Sequence, residues 1–70
     1  MKIGDKVEFV EEWIIFPEDI VNVGETGIVT NKKPFIRIKL DKIHEKLSYW
    51  NNEIHFYDDV LWKKYITIKD

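Results

Sequence analysis

Two histidines, His44 and His55, are the residues best suited to acid–base or metal chemistry in this chain. The carboxylates nearest to them in the sequence are Glu45, Asp58 and Asp59. A metal centre needs three or four such ligands at set spacings, and this spacing fits no known ligand pattern. We therefore expect no metal site, and a structural or solvent-facing role for both histidines.

The single serine, Ser48, could in principle join His44 and a carboxylate in a nucleophilic triad. No strained nucleophile turn surrounds it in the sequence. The three glycines are also too few, and wrongly spaced, for a loop that cradles phosphate. The chain is therefore predicted to have no catalytic residue, no cofactor and no enzymatic activity.

The run Trp50-Asn51-Asn52-Glu53 combines an aromatic residue with two amides that favour a turn. Together with Tyr49, Tyr57 or Trp13, Trp50 could line a shallow aromatic groove. The alternative is that Trp50 fills the core, because so small a domain needs large buried residues, and that Glu53 pairs with a lysine. Both interpretations remain open at this point.

A basic stretch alternates positive charge with one aromatic ring, as a platform for single-stranded nucleic acid does. If the stretch is a strand, three of its residues share one face. An isoelectric point near 5.6 and a single aromatic on that face argue against a dedicated nucleic-acid binder. The residues of this alternative site are Lys32, Lys33, Phe35, Arg37 and Lys39.

These candidates must be positioned by strands, because apolar and polar residues alternate with a period of two along most of the chain. Ile36, Ile38 and Leu40 give the clearest example, and Ile54 and Phe56 repeat it. With short spacing and no long helical pattern, the sequence predicts an all-β, five-stranded antiparallel barrel. The five predicted strands lie within residues 3–9, 27–30, 35–40, 54–57 and 65–68, and a short 3₁₀ turn capped by Asp58 precedes the last one.

Residues 10–25 form a long first loop, of a length that is unusual in a compact domain. The loop carries more large apolar residues than a solvated segment needs, so part of it must cover the barrel or contact a partner. We expect at least one of Trp13, Ile15 and Phe16 to be exposed and available for binding.

Length and composition limit what these elements can build. Seventy residues allow one domain over 1–70, and ten aromatic residues exclude a disordered tail. The absence of cysteine favours a reducing cytoplasm, and the longest apolar run, residues 13–16, is too short for a membrane span.

Charge is unevenly distributed along the chain. Residues 1–25 carry seven carboxylates against two lysines, whereas residues 26–46 carry six basic side chains against two acidic ones. Such asymmetry can mark an acidic and a basic face, or two exterior segments that fold against each other. The second interpretation is the simpler.

Three motifs resemble those of SH3-like barrels of the KOW/Tudor type: Gly4-Asp5-Lys6-Val7, the segment from Gly24 to Val29, and Leu40-Asp41. With Pro17 and the segment from Trp50 to Phe56 added, the chain is similar to a group of short bacterial and phage proteins without an assigned activity. The resemblance implies an SH3-like fold. Tudor-like barrels hold cationic or proline-rich ligands against aromatic walls, by cation–π contact or flat stacking.

The sequence thus predicts a non-enzymatic protein-binding module, a small phage or bacterial accessory or inhibitory factor. Single-stranded nucleic-acid binding through residues 32–39 is the alternative. The protein-binding residues would be Trp13, Ile15, Phe16, Tyr49, Trp50 and Tyr57.

Overall fold

The computed structural model describes residues 1–15 and 19–69, which form two antiparallel sheets. The larger sheet has five strands in the order β6-β5-β4-β1-β7, and the smaller one pairs β2 with β3. This arrangement confirms a small, mostly β fold. The strands are β1 (Lys6–Phe9), β2 (Trp13–Ile15), β3 (Asp19–Val21), β4 (Thr26–Asn31), β5 (Ile36–Leu40), β6 (Glu53–Phe56) and β7 (Ile66–Lys69).

The alternating pattern places one side of the large sheet in the core. Ile36, Ile38 and Leu40 of β5 and Ile54 and Phe56 of β6 are all buried, as the sequence predicts. The register explains this, because Ile38 faces Ile54 and Ile36 faces Phe56 across the two strands. Ile3 differs from the prediction: it is 64% exposed, since the first strand begins only at Lys6.

The predicted long loop of residues 10–25 contains a hairpin. Strands β2 and β3 pair with Trp13 opposite Val21 and Ile14 opposite Ile20. Sequence inspection missed these strands because each is only three residues long. Backbone hydrogen bonds from Phe9 to the Glu25 carbonyl and from Gly24 to the Phe9 carbonyl hold the start and end of the segment together.

Two glycines before and within β4 have different structural roles. Gly24 has a φ of +95°, which side chains larger than hydrogen disfavour. Gly27 instead allows a close approach, because a Cβ there would lie 2.6 Å from the Lys39 carbonyl oxygen of β5. The G-x-x-G spacing therefore serves one turn and one tight strand pairing.

The connections around β6 determine where the candidate residues lie. A 3₁₀ helix spans Glu45–Trp50 and leads into Asn51 and Asn52, which have φ values of +54° and +61°. Before β7 the predicted 3₁₀-type turn is present, because the amides of Lys63 and Lys64 donate to the carbonyls of Val60 and Leu61, three residues earlier. A single α-helical turn, α1 (Trp62–Tyr65), overlaps it and leads into β7. The predicted cap is confirmed, because the Asp58 carboxylate accepts hydrogen bonds from the backbone of Val60 and Leu61.

Within residues 1–15 and 19–69, no helix has the length and apolar character that crossing a membrane requires.

Candidate functional site

The outer surface of β5 and β6 carries a set of stacked rings. Phe35 lies 5.0 Å from His55 and 4.8 Å from Tyr57, measured between ring centroids. Trp50 contacts the edge of His55 at 5.4 Å. His55 projects outward from β6, Phe35 and Tyr57 directly flank β5 and β6, and Trp50 ends the 3₁₀ helix that leads into β6. We call Phe35, Trp50, His55 and Tyr57 the aromatic face.

Arg37 is directly opposite His55 in the register and belongs to the same surface. Its guanidinium carbon lies 5.1 Å from the Phe35 ring centroid, a cation–π distance. The Nε of Arg37 and the Nε2 of His55 are buried and have no hydrogen-bond partner among the described residues. Two buried nitrogen atoms of this surface therefore lack a hydrogen-bond partner among the described residues.

A groove runs along the outer edge of β6. Trp13 packs on the inward-facing Phe56, with ring centroids 4.7 Å apart, while Trp50 packs on the outward-facing His55. The two indoles therefore stand on opposite faces of the sheet, at its edge. The groove has a volume of about 160 Å³, and we call it the edge groove. Its lining residues are Trp13, Leu47, Trp50, Glu53, Ile54, His55 and Tyr57.

The structure brings together three of the residues that the sequence singles out for protein binding. Trp13, Trp50 and Tyr57 all line the edge groove, and the exposed fractions of Trp50 and Tyr57 are 54% and 72%. The interpretation of Trp50 as a core residue is therefore wrong. Tyr49 is 97% exposed and is not part of the groove lining.

The structure changes which residues of the first loop are able to contact a partner. Ile15 is buried in the core, so it has no surface with which to contact a partner. Its neighbour Ile14 is exposed instead, because successive residues of a strand point to opposite sides. Phe16 lies outside the described residues.

The basic stretch is divided between two places. Arg37 and Lys39 project from the outward side of β5 with Phe35 next to them, as the sequence predicts, and Lys39 lies opposite Glu53. Lys32 and Lys33 line a separate open cavity of about 590 Å³, together with Trp62 and Lys63. The sequence alone counts one aromatic residue on this face, which argues against nucleic-acid binding. The folded surface has more, because His55 and Tyr57 lie beside Phe35.

A buried charged cluster, which sequence inspection missed, centres on His44. Its Nδ1 lies 2.8 Å from Asp19 Oδ2, and its Nε2 lies 2.8 Å from Glu25 Oε1. Both ring nitrogens can donate to carboxylates only when the imidazole carries two protons. When it carries both protons, His44 is an imidazolium that links the β2–β3 hairpin and the turn before β4 to residues 41–52.

The electrostatics of the cluster agree with this geometry. Burial lowers the pKa of His44, but its hydrogen bonds to Glu25 and Asp19 outweigh burial and raise that pKa above its ordinary value of 6.5. The hydrogen bond from His44 lowers the pKa of Asp19. Burial raises the pKa of Glu25, and the hydrogen bonds from His44 and the Asn22 backbone more than reverse this effect.

The partners of His44 are 25 and 19 residues away in the chain, whereas the sequence reading considered only nearby carboxylates. The one available signal was charge segregation, since both partners lie in the acidic segment and His44 lies in the basic one. The interpretation that these segments fold against each other is supported at this cluster.

The cluster is unsuited to catalysis or metal binding. An imidazolium whose two N–H groups are already donated cannot accept a proton from Ser48. Its two carboxylates also lie at opposite ring nitrogens, so they cannot converge on one ion. Within residues 1–15 and 19–69, no group of three or more potential ligands is arranged to hold a metal.

No protein-family model, curated protein or solved structure matches this chain.

Proposed function

We propose that this chain is a non-enzymatic protein-binding module with an SH3-like barrel fold, and that it contacts its partner through the edge groove. Several features support the barrel. The chain folds as one meander, β4 to β6, flanked by β1 and β7, with the hairpin inserted after β1. The motifs that resemble KOW/Tudor proteins fall at the start of β1, the entry to β4 and the end of β5.

The observation that carries the proposal is the exposure of two large rings on a rigid support. Trp50 and Tyr57 remain more than half exposed although they border a groove whose lining includes the buried side chains of Leu47 and Ile54. Interfaces draw most of their binding energy from a few aromatic anchors of this type. The Trp50 ring already packs against the ring of His55, which reduces the side-chain freedom that it loses on binding.

The experiment compares capture of proteins from a bacterial lysate by the immobilised wild type and by variants. Trp50→Ala and Tyr57→Ala should each weaken binding of a captured partner about 30-fold, corresponding to about 2 kcal/mol, with an unchanged melting temperature. Ile43→Ala is the matched control, since Ile43 is 76% exposed and does not line the groove. A partner that both ring variants retain at full affinity would contradict the proposal.

One observation favours a second candidate function, the binding of single-stranded nucleic acid. Phe35, His55 and Tyr57 form a cluster of tilted and edge-on rings with Arg37, and bases stack on exposed rings of this kind. Lys32 and Lys33, which line the separate open cavity, would supply phosphate contacts farther along a bound strand.

Salt dependence separates the two functions. Because phosphate contacts release counterions, nucleic-acid affinity should fall steeply between about 50 and 200 mM salt. We expect no binding of single-stranded DNA or RNA tighter than about micromolar at physiological salt. Tighter, salt-sensitive binding that Lys33→Ala and Arg37→Ala both weaken would make nucleic acid the better assignment.

A further inference from the structure

We propose that the open cavity beside the β4–β5 turn binds a nucleoside di- or triphosphate, with ammonium groups on the phosphates and an indole against the base. We call this cavity, which is lined in part by Lys32, Lys33, Trp62 and Lys63, the lysine cavity. It shares no lining residue with the edge groove, so its ligand is independent of the proposed protein partner.

The lysine cavity concentrates positive charge in a chain whose net charge is −2. Three ammonium groups line it, against the one carboxylate of Asp59. None of the three lysines forms an ion pair with any residue that the structure describes. Their charges are therefore available to an anion, and lysine is a common phosphate ligand in proteins.

The floor of the cavity is apolar. Ile36 is buried there, and the half-buried side chains of Met1 and Trp62 pack against the core. In the described part of the chain, no other aromatic ring packs against Trp62. The Nζ of Lys63 lies 5.9 Å from its ring centroid, at the outer limit of a cation–π contact. An indole on which a base can stack and an ammonium group for a phosphate thus lie side by side.

Side-chain hydrogen bonds hold the backbone on both sides of the cavity. The amide nitrogen of Asn31 donates to the carbonyls of Lys33 and Phe35, at 2.8 and 3.0 Å, and so fixes the β4–β5 turn. On the other side, the Asp58 carboxylate accepts from two amides of the turn that precedes Trp62. Because both segments are already ordered, a ligand pays less to order them on binding.

The size and lining of the cavity favour a small ligand with two different parts. Its volume of about 590 Å³ lies within the range of about 300–1,000 Å³ that is typical of small-molecule sites. An inorganic phosphate would contact only the lysines, and an uncharged aromatic molecule would contact only the floor. A nucleoside di- or triphosphate contacts both, because it joins a planar base to several negative charges.

The test follows the indole N–H signals of the three tryptophans by NMR in the isotope-labelled protein, with adenosine triphosphate (ATP) as the probe. At low salt, where charges are weakly screened, ATP should shift the Trp62 signal and leave those of Trp13 and Trp50 unchanged. We expect a Kd below about 1 mM. Inorganic triphosphate and adenosine should each bind more weakly than ATP by about tenfold or more, since each fills only part of the cavity.

Two neighbouring lysines provide the matched comparison. Lys63 lines the cavity, whereas Lys64 does not and lies over the Tyr65 ring instead, 5.4 Å from its centroid. Lys63→Ala and Lys33→Ala should each weaken ATP binding by about fivefold or more, and Lys64→Ala by less than about twofold. Each variant removes one positive charge, so the long-range attraction of ATP falls by a similar amount in all three. All three lysines are exposed, and melting temperatures should confirm that the variants fold.

Several results would overturn the assignment: no shift of the Trp62 signal with ATP up to about 1 mM, equal affinity for ATP and inorganic triphosphate, or equal losses in Lys63→Ala and Lys64→Ala. Tighter binding of a single-stranded oligonucleotide than of ATP would also reject it and favour the nucleic-acid function. Trp50→Ala should leave ATP affinity unchanged, so a failure of the edge groove as a protein-binding site is distinguishable from a failure of the lysine cavity.

Discussion

His44 is the residue whose ionisation most directly affects stability. Its imidazolium contributes fully below its ordinary pKa of 6.5, and the contribution is lost as pH rises through the higher pKa of the folded state. The two carboxylates contribute above their ordinary values of 3.8 and 4.5, and that contribution is lost as pH falls through their lowered folded pKa values. Lys42 also lowers both carboxyl pKa values.

We therefore predict that the free energy of unfolding is greatest between about pH 5 and 6.5 and falls toward pH 9. His44→Gln should lower it at pH 6 by about 1.5–3 kcal/mol, the range for a hydrogen bond to a charged group, mainly through the lost contact with the largely buried Glu25. The variant should also lose the decline between pH 6.5 and 9. Urea denaturation across this range provides the measurement, and an equally steep decline in the variant would contradict the role of His44.

Asn52 is a second residue with a specific polar role. Its amide nitrogen donates to the carbonyls of Leu40 and Lys42, and its side-chain oxygen accepts from the amide of His44. The side chain thereby connects the end of β5 to the start of β6.

We predict that Asn52→Asp destabilises the protein by about 2–4 kcal/mol, because a carboxylate cannot donate to two buried carbonyls. Asn51→Asp is the matched control, since Asn51 has a similar positive φ but is exposed. The control should stay within about 0.5 kcal/mol of wild type in urea denaturation. Equal losses in the two variants would indicate that backbone strain alone is responsible.

At the scale of the element, the β2–β3 hairpin has one side against the core and one toward solvent. Trp13 packs against Phe56 and Tyr65, and Ile15 is buried, whereas Ile14 is 72% exposed. The hairpin therefore covers part of the core and also borders the edge groove.

Ile15→Ala should accordingly lower the free energy of unfolding by about 2–5 kcal/mol. Ile14→Ala should change it by less than about 0.5 kcal/mol, since its side chain already faces water. Thermal unfolding of the two variants side by side is the measurement. A large loss in Ile14→Ala would mean that the outer face of the hairpin packs against further structure.

At the scale of the whole molecule, one small core supports all these features. A domain of 70 residues is expected to have a stability of roughly 4–10 kcal/mol. Ile38 is completely buried on β5, which pairs with β4 and β6. A single cavity there threatens the entire fold.

Ile38→Ala should cost about 2–5 kcal/mol, and circular dichroism of the wild type should show a β-rich spectrum with little helix. Lys39→Ala is the control, because Lys39 is the exposed neighbour on the same strand. Urea denaturation should give a lower midpoint and an unchanged slope for Ile38→Ala. A helix-dominated spectrum, or a midpoint equal to that of the control, would contradict this core assignment.

Local periodicity determined the strands of the large sheet and the inward side of β5 and β6, since alternation acts between adjacent residues and needs no knowledge of distant ones. The same alternation correctly predicts that His55 and Tyr57 face outward. Local turn preferences likewise predict that Asp58 caps the turn before β7. Only the tertiary structure decided the rest. It paired His44 with Asp19 and Glu25, packed Phe35 against His55 and Tyr57, and packed Trp13 against Phe56 of β6. Each of these contacts joins segments far apart in the chain, and their meeting depends on strand order and register, which no local pattern encodes.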